Sequence, residues 1–155
     1  MQTIHASTRH SSNGARRRIA PKLSWAAIVL AGALAGMQAY AALPPVQHQG
    51  SVEYVSGGIG SDESASFKEA AAKYPLALTF ASNADGNGAY VADVQVVVRD
   101  SHDASVLNAT SQGPYFLVRL PAGDYKVDAT YKGKTQSRSV QVHDQGTTRA
   151  VFEWK

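Results

Sequence analysis

The sequence predicts a mainly β fold, an antiparallel seven-stranded β-sandwich preceded by one short amphipathic helix. Three observations carry this. From Leu76 to Trp154, apolar and polar residues alternate with a period of two, as strands with one buried and one solvated face require. Clusters of Gly, Pro, Asn, Asp and Ser interrupt that stretch at short intervals, as turns between strands do. In SDESASFKEAAAKY, Ser61 to Tyr74, the apolar spacing is instead that of a helix.

The first forty residues read differently from the rest. Met1 to Lys22 carries Arg9, Arg16, Arg17, Arg18 and Lys22 and no acidic residue. The apolar run LSWAAIVLAGALAGM, Leu23 to Met37, follows, and Ala39-Tyr40-Ala41 then puts small residues at −3 and −1 of a cleavage site between Ala41 and Ala42. A basic segment, an apolar core and an A-x-A site make a secretory signal peptide. Residues 1–41 are therefore expected to be removed, leaving a periplasmic or secreted product. An uncleaved anchor would need about 20 mainly apolar residues, and the Ala/Gly-rich run with Gln38 is a weak candidate for one. The three adjacent arginines resemble a twin-arginine signal only loosely, so general secretion is the expected route.

This division changes the charge reading. The whole chain holds 15 Lys and Arg against 12 Asp and Glu, a net charge of +3. Five of the basic residues and none of the acidic ones lie in residues 1–41, so residues 42–155 hold ten basic and twelve acidic residues, a net charge of −2. The basic face that nucleic-acid binding needs is absent from the expected mature chain. There is no cysteine, which excludes both a cysteine-linked lipid and the disulfides on which small exported domains often rely.

Residues 42–60 read as a lead-in and a glycine loop. LPPVQHQGS is a Pro/Gln-rich approach, VEYV (Val52 to Val55) is compatible with a short strand, and SGGIGSDES follows. Residues 61–155 are expected to form the helix and the sandwich. In the helix Phe67, Ala70, Ala71 and Tyr74 share one face, Lys68, Glu69 and Lys73 lie off it, and Pro75 ends it. Ser61 is the expected N-cap. Thereafter Tyr90, Ala92, Val94, Val96 and Val98 alternate with polar residues. So do Phe116, Val118 and Leu120; Tyr125, Val127, Ala129 and Tyr131; Val140 and Val142; and Ala150, Phe152 and Trp154. SNADGNG, DSHD, SQGP, LPAG, KG and DQG supply the turns, Pro121 presetting the backbone of LPAG.

The stretch GPYFLVRLPAGDYKVDATYKGKTQSRSVQV, Gly113 to Val142, resembles the carboxypeptidase regulatory-like domain, a transthyretin-like β-sandwich with an aromatic strand, a Leu-Pro-x-Gly-x-Tyr turn and an alternating strand. The likeness extends from about Leu76 to Trp154, and the mature chain as a whole resembles small exported bacterial proteins of that type. In carboxypeptidases the domain is an accessory to a separate zinc-binding catalytic domain, whose His-x-x-Glu arrangement is missing here. Hydroxyisourate hydrolases share the architecture and end in Tyr-Arg-Gly-Ser, whereas this chain ends VFEWK. The resemblance therefore implies a fold and not a reaction. Some exported sandwiches self-link through Lys and Asn, but no spacing here marks such a bond.

Gly57, Gly58 and Gly60 are the candidate interaction surface, because a glycine loop before a helix lets a backbone approach an anion. Neither G-x-G-x-x-G nor a Walker loop is completed, position 63 being Glu. Asp62 and Glu63 suit the helix dipole and repel a phosphate, so the loop is expected mainly to turn the chain. Tyr115 joins the candidate surface because it is out of phase with Phe116, Val118 and Leu120. His48, His102 and His143 lack metal-ligand spacing, and no G-x-S-x-G elbow occurs. Asp85, Asp100, Asp103 and Asp144 sit in turns, where Asp bonds nearby backbone; calcium binding by two such loops is the alternative. No catalytic residue, metal site or cofactor is expected. The functional expectation is a non-catalytic envelope accessory that binds another envelope protein or a glycan. A carbohydrate-binding module is the alternative, and a small hydrolase comes third.

Overall fold

The computed structural model describes residues 42–84 and 86–155. The expected leader, its cleavage site and Asp85 lie outside the described residues, apart from Ala42. Among the described residues no helix is long and apolar enough to cross a membrane.

The fold is mainly β, a sandwich of two sheets with one short helix. In chain order the elements are β1 (Gln47–Gln49), β2 (Val52–Gly57), α1 (Ser61–Ala70), a 3-10 turn (Ala71–Lys73), β3 (Leu76–Ser82), β4 (Ala89–Tyr90), β5 (Gln95–Arg99), β6 (Ser105–Thr110), β7 (Tyr115–Arg119), β8 (Gly123–Tyr131), β9 (Lys134–Val142) and β10 (Thr148–Trp154). One sheet runs β1-β2-β7-β3-β10, with β4 added beside the end of β3; the other runs β6-β5-β8-β9.

The strands therefore exceed the expected seven, because β1, β2 and the two-residue β4 join a sheet whose centre is β7 and β3. The sheets are also not wholly antiparallel. β10 runs parallel to β3 in an unbroken register from Thr148↔Leu76 to Trp154↔Ser82. Alternation reports which face of a strand is buried and not the direction of its neighbour, so the sequence pattern holds while the pairing differs.

The core between the sheets takes in most of the expected positions and adds Leu78 and Phe80, while the expected Tyr125, Tyr131 and Val140 are only half-buried. Leu78, Phe80, Val94, Val96, Val98, Phe116, Val118, Val127, Ala129 and Phe152 are fully buried, and Trp154 nearly so. Phe80 contacts the rings of Phe116, Phe152 and Trp154 at 6.0–6.5 Å between centroids. The phase of the Tyr90–Val98 run breaks midway. Asp93 has φ 57°, so Val91 is buried while Tyr90, expected on the core face, is 59% exposed. Ser111 fixes this bend: its N–H donates to the Val94 carbonyl, and its buried hydroxyl accepts the Val94 N–H at 3.0 Å.

A second core lies on the other face of the first sheet. Phe67, Ala70, Ala71 and Tyr74, the expected helix face, pack on Val55, Ala77, Tyr115 and Leu117. β7 is consequently buried on both faces, and its near-continuous apolar run YFLV is the mark of a strand covered on two sides. A ten-residue helix is marginal alone, so α1 is held by this packing.

Local turn chemistry follows the sequence. Lys132 and Gly133, at φ 47° and 76°, form the two-residue β8–β9 turn. Asp100 Oδ1 accepts the N–H groups of His102 and Ala104 at 2.8 and 3.0 Å. The Tyr125 hydroxyl donates to the Pro121 carbonyl across the LPAG turn at 3.0 Å.

Candidate functional site

The glycine loop is shaped by close packing. Gly58 and Gly60 both have φ 95°, a backbone that other residues adopt at a cost. A Cβ on Gly58 would overlap the Tyr115 ring, and one on Gly57 would lie 2.6 Å from Glu63 Oε1 and 2.9 Å from Phe67. The loop's polar groups are engaged by the helix it precedes. The Ile59 N–H donates to Glu63 Oε2 at 3.1 Å, and the Ser64 hydroxyl donates to the Gly58 carbonyl at 2.6 Å. The chain's own carboxylate thus stands where an anion would approach, close to the reach-back of a capping box. The N-cap is Gly60, not Ser61, and it makes no side-chain cap. Ser61 begins the helix, and its hydroxyl donates to Asp62 Oδ1.

Tyr115 is not a surface residue. It is 6% exposed, stacks on Phe67 at 5.9 Å and meets the Tyr90 ring at 5.7 Å. Gly57 and Gly58 are buried beside it, and only Gly60 of the expected surface is exposed. The correction has a simple cause: a residue out of phase with one core faces solvent only if nothing covers the other face, and here α1 does. The exposed apolar groups at this end are Ile59 and Tyr90, at 68% and 59% exposure.

The Tyr115 hydroxyl is buried with no hydrogen-bond partner of ordinary geometry among the described residues. Burial, then the neighbouring Tyr90 hydroxyl, pushes its pKa up to about 12. Because the folded value is raised, the neutral form favours the native state. This contribution is complete below about pH 10 and is lost as pH rises toward about 12. Tyr115→Phe removes a buried hydroxyl that has no hydrogen-bond partner of ordinary geometry among the described residues, so stability at neutral pH is expected to stay equal or to rise by up to about 1 kcal/mol. The alkaline fall in stability is expected to become shallower. Urea unfolding of both proteins across the alkaline range checks this; a clear loss at neutral pH would show that the hydroxyl is hydrogen-bonded.

Two clefts of about 380 Å³ each lie away from the glycine loop. The first is lined by Asp100, Ser101, Tyr125, Lys126 and Val140 among others. Burial, and then the charge of Asp100, raises the Tyr125 pKa. Ser101 Oγ and His102 Nδ1 are 3.4 Å apart, but Asp100 holds the backbone of His102 and not its ring, so the orienting third member of a nucleophilic relay is not supplied by Asp100.

The second cleft lies at the opposite end of β7 from Tyr115. Lys73, Tyr74, Arg119, His143 and Asp144 line it, with the Leu120-Pro121-Ala122 turn. The Arg119 guanidinium lies 4.6 Å from the Tyr74 ring centre, and its Nε is 3.5 Å from Glu53 Oε2. Three separate loops or element ends bring these basic side chains together, and no sequence motif announces them. Of the expected histidines only His143 lines it; His48 stands 3.9 Å from Glu53. Among the described residues no three His, Cys, Asp or Glu side chains converge as metal ligands do.

The two open sides of the sandwich differ. Between β9 and β10, Gln136 Nε2 donates to the Glu153 carbonyl at 2.6 Å and Lys134 Nζ to the Lys155 carbonyl at 3.1 Å. Trp154 Nε1 donates to the Lys134 carbonyl at 2.9 Å, and the Thr148 hydroxyl to the Gln141 carbonyl. Between β1 and β6 the described residues show one such link, from the Asn108 N–H to Gln49 Oε1. No protein-family model matches the chain, and no curated protein matches it.

Proposed function

We propose that the protein is an exported, non-catalytic β-sandwich of the carboxypeptidase regulatory-like, transthyretin-like type, acting in the periplasm or outside the cell as a protein-binding accessory of the envelope. The observation that supports this reading is the unequal closure of the sandwich. The β9–β10 side is laced by side-chain bonds to backbone carbonyls, while among the described residues β6 carries one link along its outer edge. Backbone groups alternate in direction along a strand. Since the Asn108 N–H points away from β5, that of Thr110, which pairs with Gln95 as Asn108 pairs with Val97, points the same way. An edge with such groups exposed is suited to strand addition by a partner.

The test is cross-linking of the tagged, exported protein in whole cells, followed by mass spectrometry. One dominant envelope protein is expected, and it should be lost from Thr110→Pro, which removes an outward donor and leaves the β5 ladder intact. Asn108→Lys, a charged edge guard, should act in the same direction. Recovery of the protein alone, or of the same partner with both variants folded, would overturn the β6 assignment.

A further inference from the structure

We propose that the cleft between the end of the 3-10 turn and the β9–β10 loop is a binding site for an acidic sugar, a single hexuronate-sized unit. Its lining is polar for most of its extent and combines Lys73, Arg119 and His143 with one acid, Asp144. Glu53 takes the Nε side of Arg119, and no other protein acceptor engages that guanidinium among the described residues. The Tyr74 ring lies beneath it, its centre 4.6 Å from the guanidinium carbon, and supports it from that side. A planar fork held in this way suits a carboxylate, to which arginine binds in two-point fashion.

The carbonyls at the helix end, which would repel an anion, are turned to other work. The Ala71 carbonyl accepts both the Tyr74 N–H and the Thr147 hydroxyl, and the Pro75 carbonyl accepts the Thr148 N–H. Lys73 makes no ion pair among the described residues and is exposed at the rim. The volume of about 380 Å³ is ample for one sugar ring. The Tyr74 ring is buried at 6% exposure and covered by Arg119, so no bare aromatic platform is offered to a neutral sugar. The carboxylate is therefore the recognised group, and the hydroxyls meet the polar walls. This site stands apart from the β6 edge and does not depend on it.

The experiment is titration of the folded, isotope-labelled protein with glucuronate, followed by amide chemical shifts, with glucose and inorganic phosphate as controls. Saturable shifts are expected at residues 73–74, 119–122 and 143–146 with glucuronate and not with glucose, weakening as salt is added. Arg119→Gln is expected to weaken binding about tenfold, as loss of a charge-assisted bond does. Lys73→Gln, at an exposed position where folding is not at issue, should weaken it by a smaller factor of about three. Equal shifts with glucose would overturn the proposal in favour of a neutral-sugar site. Equal shifts with phosphate would reduce the cleft to an unselective cationic patch. No shifts, or binding unchanged in both variants, would remove the site altogether.

Discussion

Replacing Gly113 by alanine is expected to destabilise the protein by about 3 kcal/mol or more, the upper range for forcing atoms into a packed site. The new Cβ would overlap the backbone of Gly57, including its carbonyl oxygen. Backbone cannot rotate aside as a long side chain can. Retreat is also blocked on the 113 side, because the Gln112 N–H donates to the buried Ser56 hydroxyl at 2.8 Å and the Pro114 carbonyl accepts the Phe80 N–H at 2.8 Å. The comparison is Gly60→Ala. Its Cβ would meet nothing within 4 Å, so only the φ of 95° is penalised, at about 1–2 kcal/mol. Urea midpoints for the two variants separate close approach from backbone strain. A Gly113→Ala protein no less stable than Gly60→Ala would show that β2 and the 112–114 loop can part at little cost.

That contrast bears on why the SGGIG stretch is ambiguous as sequence. A loop whose glycines admit a ligand and one whose glycines admit a tyrosine ring have the same composition. The occupant of Gly58 is Tyr115, more than fifty positions away, and only the pairing of Gly57 with Tyr115 across β2 and β7 brings the two together. Glu63 was the legible clue. A carboxylate in the first helical turn argues against an anion, and in the structure it takes the Ile59 N–H itself.

The fold was legible wherever one rule decided the outcome. Period-two alternation identified Val96, Val98, Phe116, Val118, Val127, Ala129 and Phe152 as core, and all are fully buried. The helical spacing of Phe67, Ala70, Ala71 and Tyr74 identified a buried face correctly. The pattern does not report what lies opposite that face. Tyr115 and Leu117 could have indicated a second covered surface, since YFLV lacks the polar alternation of β8. The parallel β3–β10 pair was not legible, because nothing in either strand's own residues depends on the partner's direction. The cleft beside Arg119 was equally hidden. Lys73, Arg119 and His143 come from the helix end, the end of β7 and the loop after β9, and each alone reads as an ordinary surface residue.

The two cores should separate under mutation, and Phe67→Ala is the variant that shows it. Phe67 is fully buried at the centre of the helix face, stacked on Tyr115 and set against the Gly57 backbone. Truncating a buried phenylalanine costs about 3–5 kcal/mol. The loss should not be shared evenly. α1 is ten residues long and has little stability of its own, whereas the β5, β6, β8 and β9 sheet packs on the far side of β7 and β3 without touching Phe67. Amide hydrogen exchange of Phe67→Ala is therefore expected to show Ser64 to Ala70 losing most of their protection while Val96, Val98, Val127 and Ala129 keep theirs, the signature of local opening. Phe116→Ala, cut from the core between the sheets, should cost a similar amount but lower protection everywhere. Uniform loss in Phe67→Ala as well would mean that helix and sandwich unfold as one unit. The helix would then be an integral layer of the domain, and the covering of Tyr115 would be as permanent as the sandwich itself.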